Sequence, residues 1–214
     1  MSQDFAKQDV QAFWGSLYDS LYNGVDSELT RGLLLEGIDD LEDMFRLRDY
    51  MAVHEMPLED LQGKRVLELG PGAGGHSALF AKYGAIMTSA DITFSRAKAT
   101  QVKFDLMGDL AEGCQSMQSD AENLPFADDT FDIVYSNGVL HHTPDTEKAI
   151  QDVYGVLKPG GQAVIKLYCN DSWHYWLNMF LCVGILTGRI FTAPNWLGRT
   201  RNGVVRILKL SKIL

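Results

Sequence analysis

The sequence VLELGPGAGG at residues 66–75 decides the fold. Its apolar first half predicts a buried strand, and the glycines that follow lead directly into a helical segment. Glycines at such a junction let the backbone approach a ligand closely and leave its N–H groups facing that ligand. The stretch therefore predicts a site for a nucleotide-like ligand at the carboxyl end of a strand.

Strands and helices alternate along the chain around and after this stretch. Apolar β-branched runs predict strands, and apolar residues spaced three and four apart predict helices. The predicted strands are 65–69, 86–90, 115–119, 131–136 and 162–168, and the predicted helices are 74–83, 95–106 and one that begins at Thr143 and Pro144. This order predicts an α/β fold, a Rossmann-like parallel sheet with helices on both faces and a ligand crevice at the carboxyl ends of its strands.

Composition is that of one globular domain. The chain has 214 residues, of which 46% are hydrophobic and 22% charged. The longest apolar stretch, 176–187, is shorter than the roughly 20 residues that a transmembrane helix needs. No export signal is apparent at the N-terminus, and the three cysteines lack the spacing of a metal site. The sequence therefore predicts a cytoplasmic protein with free thiols and without a metal site.

Charge is distributed unevenly along the chain. No Asp or Glu follows Asp171, whereas six Lys or Arg residues do. Since the net charge of the chain is −9, the first 171 residues carry a net charge of −15. An acidic body repels phosphate backbones and predicts no nucleic-acid partner. The three-residue spacing of Arg206, Lys209 and Lys212 predicts an amphipathic helix over 204–214. Such a helix could make a peripheral membrane contact, or it could pack on the domain or on a second copy in an oligomer.

The glycine pattern leaves two cofactor classes open. Gly70, Gly72 and Gly74 form GxGxG, whereas Gly70, Gly72 and Gly75 form the GxGxxG of dinucleotide sites. Asp91 follows Gly70 by 21 residues, at the end of the second predicted strand. Its carboxylate suits the ribose hydroxyls of either class of cofactor.

Further segments carry a resemblance to a known family. They are Glu68 before the glycines, SDAENLPF at 119–126, FDIVYSNGVLHH at 131–142 and LKPGG at 157–161. With these segments, residues 63–168 resemble the class I S-adenosylmethionine-dependent methyltransferases, especially the ubiquinone/menaquinone C-methyltransferase-like (methyltransferase type 11) group. The resemblance implies S-adenosyl-L-methionine as cofactor and methyl transfer to a small-molecule acceptor.

The resemblance also implies cofactor-binding residues. In that family the residue matching Glu68 faces the methionine end of the cofactor, and the residue matching Asp120 meets the adenine amino group. The implied site comprises Glu68, Gly70, Gly72, Gly74, Asp91, Ile92, Asp120, Ala121, Ser136 and Asn137.

The segments on either side of this core are predicted to cover it. Residues 5–56 are predicted to be helical, with Ser27 capping a second helix and Pro57 ending it. They resemble the helical lid of the family, and Tyr18 is the candidate to close over the cofactor. The predicted parts of the single domain are a lid at 1–60, a cofactor-binding core at 61–170 and an apolar and basic cover segment at 171–214. We expect the family's two terminal strands, one of them antiparallel, to be missing or divergent in this sequence.

Two histidines are candidates for proton transfer. A sulfonium methyl group is already electrophilic, so positioning supplies most of the catalysis and a base is needed only to take a proton from the acceptor. His141 and His142 follow the fourth predicted strand, and the unperturbed histidine side chain has a pKa near neutrality. Two other functions remain open: a non-catalytic subunit that serves a partner, and a nicotinamide-dependent oxidoreductase.

Overall fold

A computed structural model of the chain describes residues 3–50, 56–169 and 204–211. The α-helices in these ranges are α1 Gln3–Ser27, α2 Arg31–Tyr50, α3 Gly75–Lys82, α4 Phe94–Met107 and α5 Thr146–Val156. The strands are β1 Arg65–Leu69, β2 Ile86–Asp91, β3 Gln115–Gln118, β4 Phe131–Asn137, β5 Leu157–Cys169 and β6 Val204–Ser211. Short 3₁₀ helices lie at Leu58–Asp60, Gly108–Ala111 and Leu140–His142.

The strands form one sheet in the order β3-β2-β1-β4-β5-β6. Strands β1 to β5 are parallel, which confirms the predicted Rossmann-like α/β fold. Successive side chains of a strand point to opposite faces of the sheet. Val66 accordingly packs in a cluster with residues of α2, α3 and α4, whereas Leu67 packs in a second cluster with residues of α5. Helices therefore cover both faces, as predicted.

The carboxyl-terminal part of the sheet corrects, for the antiparallel one of the two terminal strands, the prediction that these strands are missing or divergent. Strand β6 pairs antiparallel with β5, from Gln162 with Ser211 to Cys169 with Val204. The amphipathic helix predicted from Arg206, Lys209 and Lys212 is therefore wrong for residues 204–211. The β-branched residues of this segment favour a strand, and basic side chains are common on edge strands, so the spacing of the cations did not indicate a helix.

Two helix starts also differ from the prediction. Thr30 rather than Ser27 caps α2, because its Oγ1 accepts a hydrogen bond from the backbone N–H of Leu33 at 3.3 Å. Asp145 rather than Thr143 caps α5, and its carboxylate accepts from the backbone N–H of Lys148 at 2.9 Å. The turn before α5 is a 3₁₀ helix, which places the start of α5 later in the chain.

Some predicted features lie outside the described residues. They are the end of the second helix before Pro57 and the apolar covering segment between 171 and 203. Within the described ranges, each helix is too short or too polar to cross a membrane.

Candidate active site

A cleft opens at the carboxyl ends of the parallel strands, beneath α1. It holds about 810 Å³ of space, open solvent at its mouth included. Nine of the predicted site residues line it: Tyr18, Gly70, Gly72, Asp91, Ile92, Asp120, Ala121, Asn137 and His142. The topology brings these residues together because neighbouring parallel strands end at the same edge of the sheet.

The glycine turn after β1 forms the floor of the cleft. Gly70 and Gly72 have positive φ values of 71° and 55°, a conformation that residues with side chains rarely adopt. A Cβ atom at Gly70 would lie 2.4 Å from a methyl carbon of Val139, and one at Gly72 would lie 2.7 Å from Oη of Tyr18. Both positions therefore require glycine for conformation and for space, and they leave bare backbone facing the cleft.

Asp91 lies at the end of β2, with 7% of its surface exposed. Its Oδ1 accepts hydrogen bonds from the backbone N–H and the hydroxyl of Thr93, each at 2.8 Å. Burial raises the pKa of this carboxyl group, and the bonds from Thr93 act against that rise. The carboxylate is thus fixed in orientation on the wall of the cleft, where it can accept bonds from a hydroxyl-bearing ligand.

Asp120 lies just beyond the end of β3, at the far end of the cleft from β4. Its Oδ1 accepts from the backbone N–H of Glu122 at 2.9 Å, which closes a tight turn. Its Oδ2 lies 2.6 Å from Nζ of Lys7 on α1. Asp120 is therefore both a turn aspartate and a residue of the cleft wall.

Helix α1 forms the roof. Val10, Trp14 and Tyr18 line the cleft from above, and the ring of Trp14 lies 4.8 Å from that of His142. Buried Arg96 on α4 anchors the carboxyl-terminal half of α1 through ion pairs with Asp26 at 2.9 Å and Asp19 at 3.2 Å. Lys103 adds a second pair to Asp26 at 2.9 Å. The predicted position of Tyr18 over the glycines thus depends on contacts between α1 and α4.

The two histidines occupy different positions in the turn after β4. His142 lines the cleft and His141 does not, although their rings are 4.0 Å apart. Burial lowers the pKa of His142, and burial together with the neighbouring His142 lowers the pKa of His141 to about 4. Both imidazoles are therefore neutral at pH 7, and His142 is the one placed to take a proton from a ligand.

Three further predicted residues lie outside the cleft lining. Glu68 points to the α3 side of the sheet because side chains alternate along β1, and there it is 1% exposed and hydrogen-bonded to Ser77. Ser136 is buried beneath the floor. A Cβ atom at Gly74 would lie 2.8 Å from Oγ1 of Thr100, so this glycine permits α3 and α4 to pack closely.

Glu68 leads to a prediction about stability. Burial, together with the charge of Asp91, raises its pKa to about 7, and the hydrogen bonds from Ser77 act against that rise. A carboxyl group with a raised pKa stabilises the fold below its unfolded pKa of about 4.5, and this contribution is lost as the pH rises through 7. We expect Glu68→Gln to raise the free energy of unfolding relative to wild type, and this gain should be about 3 kcal/mol larger at pH 8 than at pH 4.5.

Urea unfolding of the unliganded proteins at both pH values measures this difference. Glu112→Gln, at an exposed position after α4, is the matched control and should show no such pH dependence. An equal effect of Glu68→Gln at both pH values would contradict the raised pKa.

Sequence reasoning missed several residues of the lining. They are Lys7, Val10, Trp14, Ala90, Arg96, Ser119, Gly138, Val139, Thr143 and Pro144. Most are neighbours of predicted residues, and Trp14 lies in the aromatic stretch 14–22 from which only Tyr18 was singled out as a lid residue. No sequence signal identified Lys7 and Arg96. Tertiary packing decides which face of a helix meets a cleft, and the sequence around these two residues does not report it. Among the described residues, no group of three or more His, Cys, Asp or Glu is arranged to hold a metal ion.

Known proteins share this core. Residues 67–165 match the family described as "Methyltransferase domain". A ubiquinone/menaquinone biosynthesis C-methyltransferase of Haemophilus ducreyi is 32% identical over 75% of this chain and 59% of its own. A demethylmenaquinone methyltransferase of Clavibacter sepedonicus is 32% identical over 77% of this chain and 61% of its own. A sterol 4-C-methyltransferase of Caenorhabditis elegans is 32% identical over 50% of this chain and 32% of its own.

Solved structures share the fold. A candidate sarcosine dimethylglycine methyltransferase of Galdieria sulphuraria superposes with a TM-score of 0.54 at 24% sequence identity. The superposition covers 75% of this chain and 58% of the other chain. The [4+2]-cyclase SpnF superposes with a TM-score of 0.52 at 25% identity, over 60% of this chain and 46% of its own. One fold thus hosts different reactions.

The region that matches the family, residues 67–165, contains the glycine turn, Asp91, Asp120 and the histidine turn. The chain spans about 60% or less of the length of the curated relatives named above. These similarities confirm the family resemblance that the sequence motifs indicated. Over residues 67–165, the chain matches the methyltransferase domain family.

Proposed function

We propose that the protein is an S-adenosylmethionine-dependent methyltransferase that acts on a small, largely apolar acceptor. One observation carries the proposal: the glycine turn, Asp91 and Asp120 line one cleft, at the ends of β1, β2 and β3 in turn. An amino acid, a ribose and an adenine joined in that order would meet the bare glycine backbone, a ribose-binding carboxylate and an acceptor for the adenine amine. Glu68 and Gly74 act from behind the wall in this proposal, by shaping the turn.

Each part of the cofactor has a partner of suitable chemistry. The bare backbone at Gly70 and Gly72 accommodates the amino-acid end, with Asn137 close by on the cleft wall. Asp91, held by Thr93, accepts from the ribose hydroxyls. Ile92 and Ala121 supply apolar contacts for the base. When bound, the cofactor supplies an electrophilic sulfonium methyl group.

The acceptor would enter between α1 and the turn after β4. Val10, Trp14, Val139 and Pro144 make this part of the lining apolar. Relatives that carry the core are described as methyltransferases of quinones and sterols. A ring-bearing acceptor with a weakly acidic C–H or O–H bond fits this lining, with Trp14 excluding water from the reacting atoms.

His142 would take the proton that such an acceptor loses. Its imidazole lines the cleft and is neutral at pH 7 because burial lowers its pKa. His141 would act through its contact with His142, as a positioning residue in the same turn.

This role predicts a pH dependence. A base is active when it is unprotonated, so a lowered pKa extends activity towards acid pH. We expect the acid limb of the rate profile to have its midpoint below 6.5, and His142→Gln to remove that limb while cofactor binding is retained. Single-turnover rates between pH 5 and 9 measure it. A midpoint above 6.5 in wild type, or an unchanged limb in the variant, would exclude His142 as the base.

A methyl-transfer assay tests the proposed activity. The protein is incubated with S-adenosylmethionine and quinone-like, sterol and sugar acceptors, and products are identified by mass spectrometry. A methylated quinone-like or sterol acceptor supports the proposal. Cofactor binding without transfer to any acceptor favours a non-catalytic subunit, whereas hydride transfer with a nicotinamide cofactor favours an oxidoreductase.

Location and assembly complete the proposal. We place the protein in the cytoplasm, where its free thiols would remain reduced. An oligomer and a peripheral membrane contact through the basic carboxyl-terminal segment stay predictions. With residues 204–211 in a strand, such a contact would have to use other parts of the segment.

A further inference from the structure

Lys7 on α1 reaches the far end of the cleft. Its Nζ lies 2.6 Å from Oδ2 of Asp120 and 2.8 Å from Oε2 of Glu122. Glu122 is itself fixed, since its side chain is 2% exposed and its Oε1 accepts from the backbone N–H of Asp145 at 2.8 Å. Two oriented carboxylates therefore hold the ammonium group on the cleft wall.

In this arrangement, Lys7 keeps one hydrogen-bond donor and Asp120 keeps acceptor sites that these contacts do not use. An ammonium group has three N–H donors, and the two carboxylates account for two of those of Lys7. A carboxylate has about four lone-pair sites, and Asp120 uses one for Lys7 and one for the backbone N–H of Glu122. A donor and an acceptor therefore lie side by side at the end of the cleft beyond Asp91.

The Watson–Crick edge of adenine carries the complementary pair, because its 6-amino group donates and the adjacent ring nitrogen N1 accepts. We propose that Lys7 reads the adenine ring of the cofactor by donating to N1 while Asp120 accepts from the 6-amino group. The inference rests on the proposed function, since it requires the adenine to lie at Asp120. Lys7 then has a role in recognition besides holding α1 over the cleft.

Base selectivity follows from this pairing. Hypoxanthine reverses the edge, with an acceptor at position 6 and a donor at N1, so it would face Asp120 and Lys7 with the wrong group at each position. Replacing N1 by C–H removes the bond to Lys7 alone. Replacing N7 by C–H leaves the edge unchanged.

The first test needs only the wild-type protein and isothermal titration with S-adenosylhomocysteine and its analogues. We expect the 1-deaza analogue to bind about tenfold more weakly than the parent, and the inosyl analogue about a hundredfold more weakly. The 7-deaza analogue should bind like the parent. Equal affinity of the 1-deaza analogue and the parent would overturn the proposal.

The second test is a variant. Lys7→Met should bind S-adenosylhomocysteine about tenfold more weakly than wild type, yet bind the parent and the 1-deaza analogue equally. Lys98→Met, at an exposed lysine of α4, matches the change in charge and should behave like wild type. If Lys7→Met weakens both ligands by the same factor, Lys7 only holds α1 and the proposal is wrong.

The two proposals fail in different ways. If wild type does not bind S-adenosylhomocysteine at all, the proposed cofactor site is excluded, and so is the recognition of adenine by Lys7. If wild type binds the parent tightly but does not distinguish the 1-deaza analogue, the cofactor site stands and the role of Lys7 alone is excluded.

Discussion

Gly70→Ala is expected to destabilise the protein by about 2–5 kcal/mol and to abolish tight binding of S-adenosylhomocysteine. The left-handed conformation of Gly70, with φ of 71°, costs an alanine about 1–2 kcal/mol. Its Cβ would also lie 2.4 Å from a methyl carbon of Val139, and relief of such overpacking costs about 1–3 kcal/mol. Either the turn or the Val139 segment must then move, and both line the cleft.

A matched control separates strain from crowding. Gly63 has nearly the same φ, 72°, but a Cβ there would meet nothing within 4 Å. Gly63→Ala should therefore cost only the conformational part and leave ligand affinity unchanged. Val139→Ala, added to Gly70→Ala, should restore part of the lost stability. Urea unfolding and calorimetry measure these effects, and equal losses of stability for the two glycine variants would refute close approach at Gly70.

Asp91→Ala is expected to weaken binding of S-adenosylhomocysteine by a factor of about 10 to 150, because a hydrogen bond to a charged group contributes about 1.5–3 kcal/mol. The carboxylate is 7% exposed, so water replaces its bonds to a ligand poorly. Asp91→Asn keeps an oxygen for Thr93, and its loss of affinity should be smaller.

The control for Asp91 is Asp109→Ala, which removes a carboxylate from an exposed turn away from the cleft lining. It should bind the ligand like wild type in the same calorimetric titration. If folded Asp91→Ala binds with wild-type affinity, Asp91 does not contact the cofactor.

The parallel core was predictable because its signals are local. Apolar runs predicted β1 to β4 to within one residue, whereas β5 begins at Leu157 rather than at the predicted Gln162. The glycine turn predicted the position of the cleft. The start of α5 at Thr146 was less accessible, since the 3₁₀ helix before it competes with the Thr143–Pro144 start signal. Strand β6 was mistaken for a helix because its pairing with β5 is a long-range contact that charge spacing does not report.

The site residues also divide into those that local sequence signals identify and those that only long-range packing brings to the cleft. Asp91 is the last residue of β2 and Asp120 lies two residues after β3, so strand order alone brings them to one edge of the sheet. Glu68 also adjoins the glycines, but the alternation of side chains along β1 turns it towards Ser77. Lys7 comes from a helix 113 residues away from Asp120, and only the packing of α1 on the core brings the two together.

Binding of the demethylated cofactor is the most direct test of the central claim, that this cleft is a site for S-adenosylmethionine. Isothermal titration of the wild-type chain with S-adenosylhomocysteine and, separately, with a nicotinamide dinucleotide measures it. The arrangement of the glycine turn, Asp91 and Asp120 predicts saturable heat with S-adenosylhomocysteine and none with the dinucleotide. Saturable binding of the dinucleotide, with no heat from S-adenosylhomocysteine, would contradict it.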